Sequence, residues 1–375
     1  MMIPLICLLL LGGYFLTIGQ LIWGARQIRS FESKDKTPST FFSIIIPFRD
    51  EAQNLPRLLE SFKNLNYPHE LFELIFVDDF STDESVKLLY QWRTANGTLQ
   101  TTLLENIRLS QSPKKDAITR AIPIVQKQWI VTTDADCEVP TTWLSTLDSY
   151  LQTHSANMVV GAVHYESTST FLDQFQLLDL LSLQGATQGS FGMGLGFLCN
   201  GANLAYTKSH FQQLQGFTGN DSLASGDDVF LLQKSMAFDA SKVQYLKSKC
   251  HLVYTKPEQS WKQLLIQRTR WASKTGNYSS VFGKDLAIWV LLGNLSWIVL
   301  GTYSLFLNVW IVAFVWATGL KFTMDWLLIR EAQKNAAVKR LRYLLCSSLL
   351  YPFYCVFVAL HVLPGTYTWK GRKLS

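Results

Sequence analysis

The sequence is short of the markers that assign a chain to a simple class. Its six cysteines, at positions 7, 137, 199, 250, 346 and 355, are scattered and form neither a CxxC pair nor a secreted framework. Reduced thiols in a cytosolic domain are therefore expected. The six histidines show no zinc-binding spacing. There is no GxxxxGK[ST], and no GxGxxG follows the first predicted strand, which excludes those two phosphate-binding loops. No Lys or Arg precedes the first apolar run, as a cleaved signal peptide would require.

Apolar and aromatic residues, in contrast, are plentiful. With 375 residues, 48% of them hydrophobic, and 12 Trp, the chain can bury a sizeable core and keep apolar segments in surplus. Residues 3–23 are uncharged and long enough to cross a bilayer core of roughly 30 Å, which predicts an N-terminal transmembrane helix over residues 1–24. Arg26, Arg29, Lys34 and Lys36 come after it, so the positive-inside rule puts the next domain in the cytoplasm. Residues 286–320 carry only Asn294 and Asn308 as strongly polar interruptions and predict two closely spaced helices that turn near Gly301 and Thr302.

A basic loop over 321–342 is expected next, with Lys321, Arg330, Lys334, Lys339, Arg340 and Arg342. A third apolar run spans 343–363, where Pro352 allows a bent or re-entrant hairpin, and the tail "WKGRKLS" is basic again. The C-terminal membrane region, 285–375, thus holds two or more segments of open parity. Much of the net charge of +6 falls beside these segments, where anionic lipid attracts it, so no nucleic-acid partner is needed.

Residues 40–280 read as one α/β domain. "FFSIIIPF" (41–48) is a strand by its β-branched content, and Leu55, Leu58, Leu59 and Phe62 have helical spacing. "FELIFV" (72–77) is a second strand, Asp83 can cap a helix to about Ala95, and "TLLENIRL" is a third strand. A helix over 114–128 and the strand "QWIVTTD" complete four alternations. That pattern predicts a mostly parallel sheet whose ligands bind beyond the carboxyl ends of its strands.

The acids lie at those ends. Asp78 and Asp79 close the second strand, and Asp134 and Asp136 the fourth. Taken singly, "VDDFSTD" is also compatible with an Asx turn before a helix, and "DAD" with a solvated turn; their convergence is the stronger signal. Carboxylates meeting a phosphate-rich ligand need a divalent cation between them, and Mg²⁺ or Mn²⁺ takes one or two carboxylates plus phosphate oxygens. In an extended segment Asp134 and Asp136 would point the same way, with Ala135 leaving room. The Gly-rich "GSFGMGLG" (189–196) is expected to be a mobile loop near the site or a plain linker.

Asp227 and Asp228 in "SGDDVFLL" precede a helical pattern, where acids also favour the helix dipole. In "QLLIQRTRWASK" a helix puts Gln267, Arg270 and Trp271 on one face and turns Arg268 away. A cationic amphipathic helix on the membrane surface is the plainer alternative.

In order along the chain, "SIIIPFRDE", "VDDFSTD", "DADCEVP", "CNGANLAY", "SGDDVFLL" and "QRTRW" strongly resemble the membrane-bound glycosyltransferases of family 2 over about residues 40–275. The resemblance implies a GT-A fold, inversion at the anomeric carbon, a nucleotide-diphosphate donor such as a UDP-sugar, and Mg²⁺ or Mn²⁺. It implies that Asp79, with Asp78 beside it, contacts the nucleotide base and ribose, in a pocket lined by Pro47 and by Arg49, Asp50 and Glu51.

It further implies a donor lysine at Lys115, although the family's Gly-Lys is replaced by Pro113-Lys114-Lys115, which leaves open which lysine is involved. Asp136 matches the principal metal ligand, Asp134 its partner at the donor sugar, and Asp228 the general base. Asp227 stands where Glu is usual. Gln267, Arg270 and Trp271 match the acceptor or diphosphate end.

The acceptor implied is a lipid or lipid-linked glycan at the plasma membrane, with membrane lipids around the flanking helices and the catalytic domain on the cytoplasmic side. A processive polysaccharide synthase of the same family, a non-catalytic scaffold with this fold, and phosphoryl or nucleotidyl transfer at the same metal remain the alternatives.

Overall fold

The computed structural model describes residues 2–34, 36–166, 169–220, 223, 226–336, 341–362, 367–369 and 372–374. Lys339, Arg340 and, in the basic tail, Lys370, Gly371 and Ser375 lie outside the described residues. In chain order the first elements are α1 (Met2–Gln27), β1 (Phe42–Phe48), α2 (Leu55–Lys63), β2 (Phe72–Asp78), α3 (Ser85–Ala95), β3 (Thr101–Glu105), α4 (Pro113–Ala121) and β4 (Trp129–Thr132). The next are α5 (Trp143–Leu151), β5 (Met158–Val160), β6 (Val163–Tyr165), α6 (Phe171–Gly192), β7 (Leu204–Thr207), α7 (Lys208–Gln213), α8 (Asp227–Asp239), β8 (Val243–Tyr245) and β9 (Val253–Thr255). The last helices are α9 (Trp261–Ala272), α10 (Val281–Phe306), α11 (Ile311–Gln333) and α12 (Leu344–Val362).

The chain separates into two compact units. One comprises Arg29–Glu166 and Leu198–Lys256; the other comprises Met1–Ile28, Ser167–Phe197 and Pro257–Ser375. Residues 167–197 and 257–280, expected within a continuous 40–280 domain, therefore pack with the long apolar helices.

The first unit is built on a seven-stranded sheet in the order β3-β2-β1-β4-β7-β5-β8. β1 pairs in parallel with β2 and β4, and β2 with β3, as the four strand–helix alternations predict. β7 runs antiparallel to both β4 and β5. Its direction matters because the register Thr132↔Leu204 sets the start of β7 beside the end of β4, so "CNGAN" arrives at the acidic edge.

Phe42, Ile44, Ile46, Leu74 and Phe76 are buried against Leu55, Leu58, Leu59 and Phe62 of α2, and Trp143 is fully enclosed. The Trp143 indole N–H donates to Asn203 Oδ1 at 3.0 Å. Two predicted elements are shorter than expected. β3 stops at Glu105, and α4 stops at Ala121, where Pro123 cannot continue an α-helical hydrogen-bond pattern.

Among the described residues of the second unit, four helices are long and apolar enough to cross a membrane: Met2–Gln27, Val281–Phe306, Asn308–Gln333 and Leu344–Val362. The first and last match expectation, and Pro352 lies inside one helix, not in a hairpin. Gly301 and Thr302 are helical, and the turn falls at residues 307–310. Much of the expected basic loop 321–342 is also helical: α11 continues to Gln333, because Asp325 neutralises Lys321 at 2.6 Å and lets it be buried. Tyr14 of α1 donates to the same Asp325 at 2.5 Å.

The Gly-rich stretch is likewise no loop at its start, since residues 189–192 complete α6. A Cβ on Gly192 would lie 1.8 Å from the Gly24 carbonyl oxygen and one on Gly189 would lie 2.5 Å from that of Leu21. These glycines serve close helix approach between α1 and α6. Gly192→Val should force the two helices apart, at a cost of about 1–3 kcal/mol or more. The expected result is a fall of several degrees in the melting temperature of the detergent-purified protein; an unchanged value would contradict this packing.

Burial pushes the His251 imidazole down to about 4, against a partly opposing hydrogen bond between Nδ1 and the Trp143 carbonyl at 2.9 Å. The folded state therefore prefers neutral His251. Its contribution is complete above the unfolded value of roughly 6.5 and is lost as pH falls toward 4, on the order of 3 kcal/mol in all. Melting temperatures should drop over that window in wild type, and the part due to this residue should vanish in His251→Asn.

Candidate functional site

Every acid of the α/β unit singled out by its motif lies at a strand end or helix start that the topology explains. After β1, Asp50 adopts a left-handed backbone (φ +50°) and its carboxylate accepts from Thr82 N at 2.7 Å, which holds the carboxyl below its ordinary value. Glu51 N donates to Ser85 Oγ at 2.8 Å, and Ala52 N to Asp83 Oδ2 at 2.9 Å. Asp83 Oδ1 also accepts from Ser85 N at 2.9 Å, but the N-cap position of α3 is Glu84, whose side chain makes no capping bond, so Asp83 acts one residue before the cap expected of it. The loops after β1 and β2 are thus zipped together, with Glu51 Oε2 accepting from Asn54 at the start of α2.

Asp78 accepts from Ser81 N at 3.0 Å, a local side-chain-to-backbone bond three residues on. Asp79 is a different case. It is buried, and Arg108 donates to both its oxygens, Nε to Oδ1 and Nη2 to Oδ2, each at 2.5 Å. Asn106 adds a bond at 2.9 Å, and Arg49 donates to the Asp79 carbonyl at 2.8 Å. Pro47 lies one residue inside the end of β1, in register with Val77.

Arg108 and Asn106 were hidden from sequence analysis because "NIRL" has strand-like content; the chain leaves the sheet there, and so reaches Asp79. Phe80 is a second omission. Its backbone is left-handed (φ +59°), which costs a bulky residue on the order of 1–3 kcal/mol, and its ring is 43% exposed beside Asp79. Sequence composition gives no signal for such a conformation at a phenylalanine.

At the end of β4 the segment is not extended. Cys137 N closes a turn onto the Asp134 carbonyl at 3.1 Å, leaving Asp136 exposed, Asp134 half-buried and Ala135 buried. The same-side argument from strand alternation therefore does not apply; a tight turn replaces it. The Asp134 carboxylate accepts from Lys114 Nζ at 2.6 Å, and that ammonium also stands 3.4 Å from Asp227 Oδ2.

Asp227 and Asp228 open α8 after Gly226, whose φ of +90° suits glycine. Asp227 is buried and Asp228 half-buried, with Gly201 N donating to Asp228 Oδ2 at 3.0 Å. Gly201 is held in turn by Thr132 Oγ1, which donates to its carbonyl at 2.7 Å.

The structure thus separates the two lysines that the sequence left ambiguous. Lys114 is the one among the acids. Lys115 is buried, with its Nζ donating to the Asn220 and Leu223 carbonyls at 2.5 and 2.9 Å, and its place as a donor ligand passes to a structural one. Both bonds anchor the segment that leads into Asp227.

In the second unit, α9 carries Gln267, Arg270 and Trp271 on one helix, as expected. Arg268 is not turned away. It is buried, pairs with Asp179 of α6 at 2.5 Å, donates to Gln267, and lies over the Trp271 ring at 4.2 Å from its centroid. Asp179 supplies the counter-charge that makes this burial tolerable. Gln267 also donates to Glu258 at 2.6 Å, and Arg270 is half-buried.

Residues 43–214 match the family model for glycosyl transferase family 2. The chain is 25% identical to glycosyltransferase AglE of Haloferax volcanii over 125 residues, 33% of this chain and 40% of that protein. It is also 25% identical to a beta-monoglucosyldiacylglycerol synthase of Nostoc sp. over 111 residues, 30% of this chain and 23% of the relative. The chain thus spans well under half the length of these curated relatives.

Among solved structures, the mannosyltransferase PcManGT from Pyrobaculum calidifontis, in complex with GDP-Man and Mn²⁺, superposes with a TM-score of 0.61 at 17% identity, covering 90% of this chain and 100% of that one. The fold is GT-A.

Removing Arg108 leaves the buried Asp79 carboxylate with weaker compensation. Breaking a buried pair costs roughly 3–5 kcal/mol; because Arg108 is partly exposed and Arg49 and Asn106 remain, Arg108→Gln should cost about 1–2 kcal/mol. A thermal unfolding curve displaced by a few degrees would bear this out, and the displacement should shrink in the Asp79→Asn background.

Proposed function

We propose that this protein is an inverting glycosyltransferase that moves a sugar from a nucleotide-diphosphate donor, of the UDP-sugar type, to a lipid or lipid-linked acceptor. The observation that carries this is the joining of Asp134 and Asp227 by one ammonium, with Asp228 adjacent, at the carboxyl edge of a GT-A sheet. A scaffold has no need of such a concentration of negative charge.

Asp134 and Asp136 offer hard carboxylate oxygens two residues apart. Among the described residues no group of three or more His, Cys, Asp or Glu could hold a metal by itself. That donor set fits Mg²⁺ or Mn²⁺, which completes its shell with phosphate and water oxygens, and does not fit a structural zinc. Bound there, the ion would neutralise charge on the departing diphosphate.

Asp228 is the more accessible acid of its pair, and the Gly201 N–H orients it. In the proposed reaction its carboxylate takes the proton of an acceptor hydroxyl while that oxygen attacks the anomeric carbon. The bond from that carbon to the diphosphate breaks, and the nucleoside diphosphate leaves with the electron pair. Asp79, fixed by Arg108, and its neighbour Asp78 bind the base and ribose, with Pro47, Arg49 and Glu51 in the same pocket. Gln267, Arg270 and Trp271 serve the acceptor or diphosphate.

The four helices among the described residues that are able to cross a membrane, and a relative named for a glucosyldiacylglycerol product, support a lipid acceptor. So few spans favour single transfer over a chain-translocating synthase. Arg26, Arg29, Lys34 and Lys36 after α1 support a cytoplasmic catalytic unit at the cell membrane.

Detergent-purified protein, supplied with native lipid, should release nucleoside diphosphate from one member of a nucleotide-sugar panel when Mg²⁺ or Mn²⁺ is present. Asp136→Ala should lose metal-dependent donor binding, whereas Asp228→Asn should bind donor nearly as wild type and fall at least 100-fold in transfer. Equal loss of binding in both variants would refute these roles, and release of pyrophosphate or monophosphate would indicate phosphoryl or nucleotidyl transfer instead.

A further inference from the structure

Lys114 lies where the two halves of the proposed chemistry meet. Its Nζ is 2.6 Å from Asp134 Oδ1 and 3.4 Å from Asp227 Oδ2. On a third side the backbone closes in, for a Cβ on Gly201 would stand 3.0 Å from that same Nζ and 3.0 Å from Asp227 Oδ2. Two carboxylates thus flank the ammonium, with Asp228 next to Asp227 at the start of α8.

Lys114 is therefore a fixed positive charge on a carboxylate to which the proposed function assigns a divalent cation. A charge-assisted bond of 2.6 Å is among the stronger polar contacts a protein makes. A divalent ion ligated by the same carboxylate would face that ammonium at close range, where like charges in a partly desolvated site repel several times more strongly than in water.

We propose that Lys114 is an intrinsic competitor for the divalent cation at Asp134, so that the ion binds tightly only together with a nucleoside diphosphate, whose phosphates take over pairing with the ammonium. Lys114 is then a positioning residue that makes metal and donor arrive as one unit. Ordering metal and nucleotide in this way is a coupling free energy, and coupling is reciprocal: each ligand should raise the affinity of the other by the same factor. Lys115 cannot substitute, because two backbone carbonyls hold its ammonium. This inference rests on the proposed function, since it presumes a metal at Asp134.

The test is a Mn²⁺ titration of the full-length detergent-purified protein, read by calorimetry or by the electron paramagnetic resonance signal of free Mn²⁺, with and without UDP or GDP. In wild type the nucleotide should tighten Mn²⁺ binding at least tenfold. Lys114→Met should bind Mn²⁺ alone at least tenfold more tightly than wild type and lose most of the nucleotide effect. Lys114→Arg, which keeps the charge, should behave as wild type and controls for disturbed folding.

If Lys114→Met binds Mn²⁺ no more tightly than wild type while the nucleotide effect persists, the role of Lys114 is refuted and the proposed function stands. If wild type shows no Mn²⁺ binding with either nucleotide, both are refuted.

Discussion

Carboxylates gathered at one edge of a sheet repel one another, and the edge described here holds together because cations are interleaved with them. Asp79 is clamped by the Arg108 guanidinium, and Asp134 and Asp227 are bridged by Lys114. The parallel pairing of β1, β2 and β4 sends Asp79 and Asp134 to the same end of the sheet, and the antiparallel β7 brings Gly201 alongside. Remove the cations and the strand ends would be driven apart by the charges that give the site its chemistry. Under the proposed function the same arrangement would suit a diphosphate ligand, which needs positive charge to bind it and negative charge to hold its metal.

A second use of lysine supports the first. Lys115 donates to two carbonyls of the segment before α8, and Lys234 donates to the carbonyls of Leu214, Gly216 and Thr218 at 2.8–3.1 Å. Two buried or partly buried ammoniums thus take up backbone carbonyls between Leu214 and Leu223, outside the sheet. Asp227 and Asp228 inherit their position from this anchoring, so the placement of the acids depends on residues that do no chemistry themselves.

The membrane-type unit is organised by different forces. In a bilayer, lipid would offer no hydrophobic drive for helix association, and close packing and internal polar pairs would have to do the work. Gly24, Gly189 and Gly192 allow backbone contact between α1 and α6, and Tyr14, Lys321 and Asp325 form a neutral polar cluster between α1 and α11. The Arg268–Asp179 pair does the same between α9 and α6.

Apolar runs rich in β-branched residues, helical spacing and end signals were enough to read β1, β2, β4 and α2 from the sequence, because each of these is a local fact. The same holds for the first and last long apolar helices, and for the acids at strand ends, whose spacing announces them. What the sequence could not determine depends on partners distant along the chain. Arg108 becomes a site residue only because Asp79 lies 29 positions away in the chain and 2.5 Å away in space.

Lys114 and Lys115 are equivalent in sequence, and only the fold turns one toward Asp134 and the other toward Asn220. "GSFG" could not be told from a loop until α1 was packed against it, because glycine permits both flexibility and close approach. Local pattern thus decided which elements form and which end carries the acids. Tertiary structure decided which cation answers each acid, because electrostatic pairing depends on distance in space and not on separation in the chain.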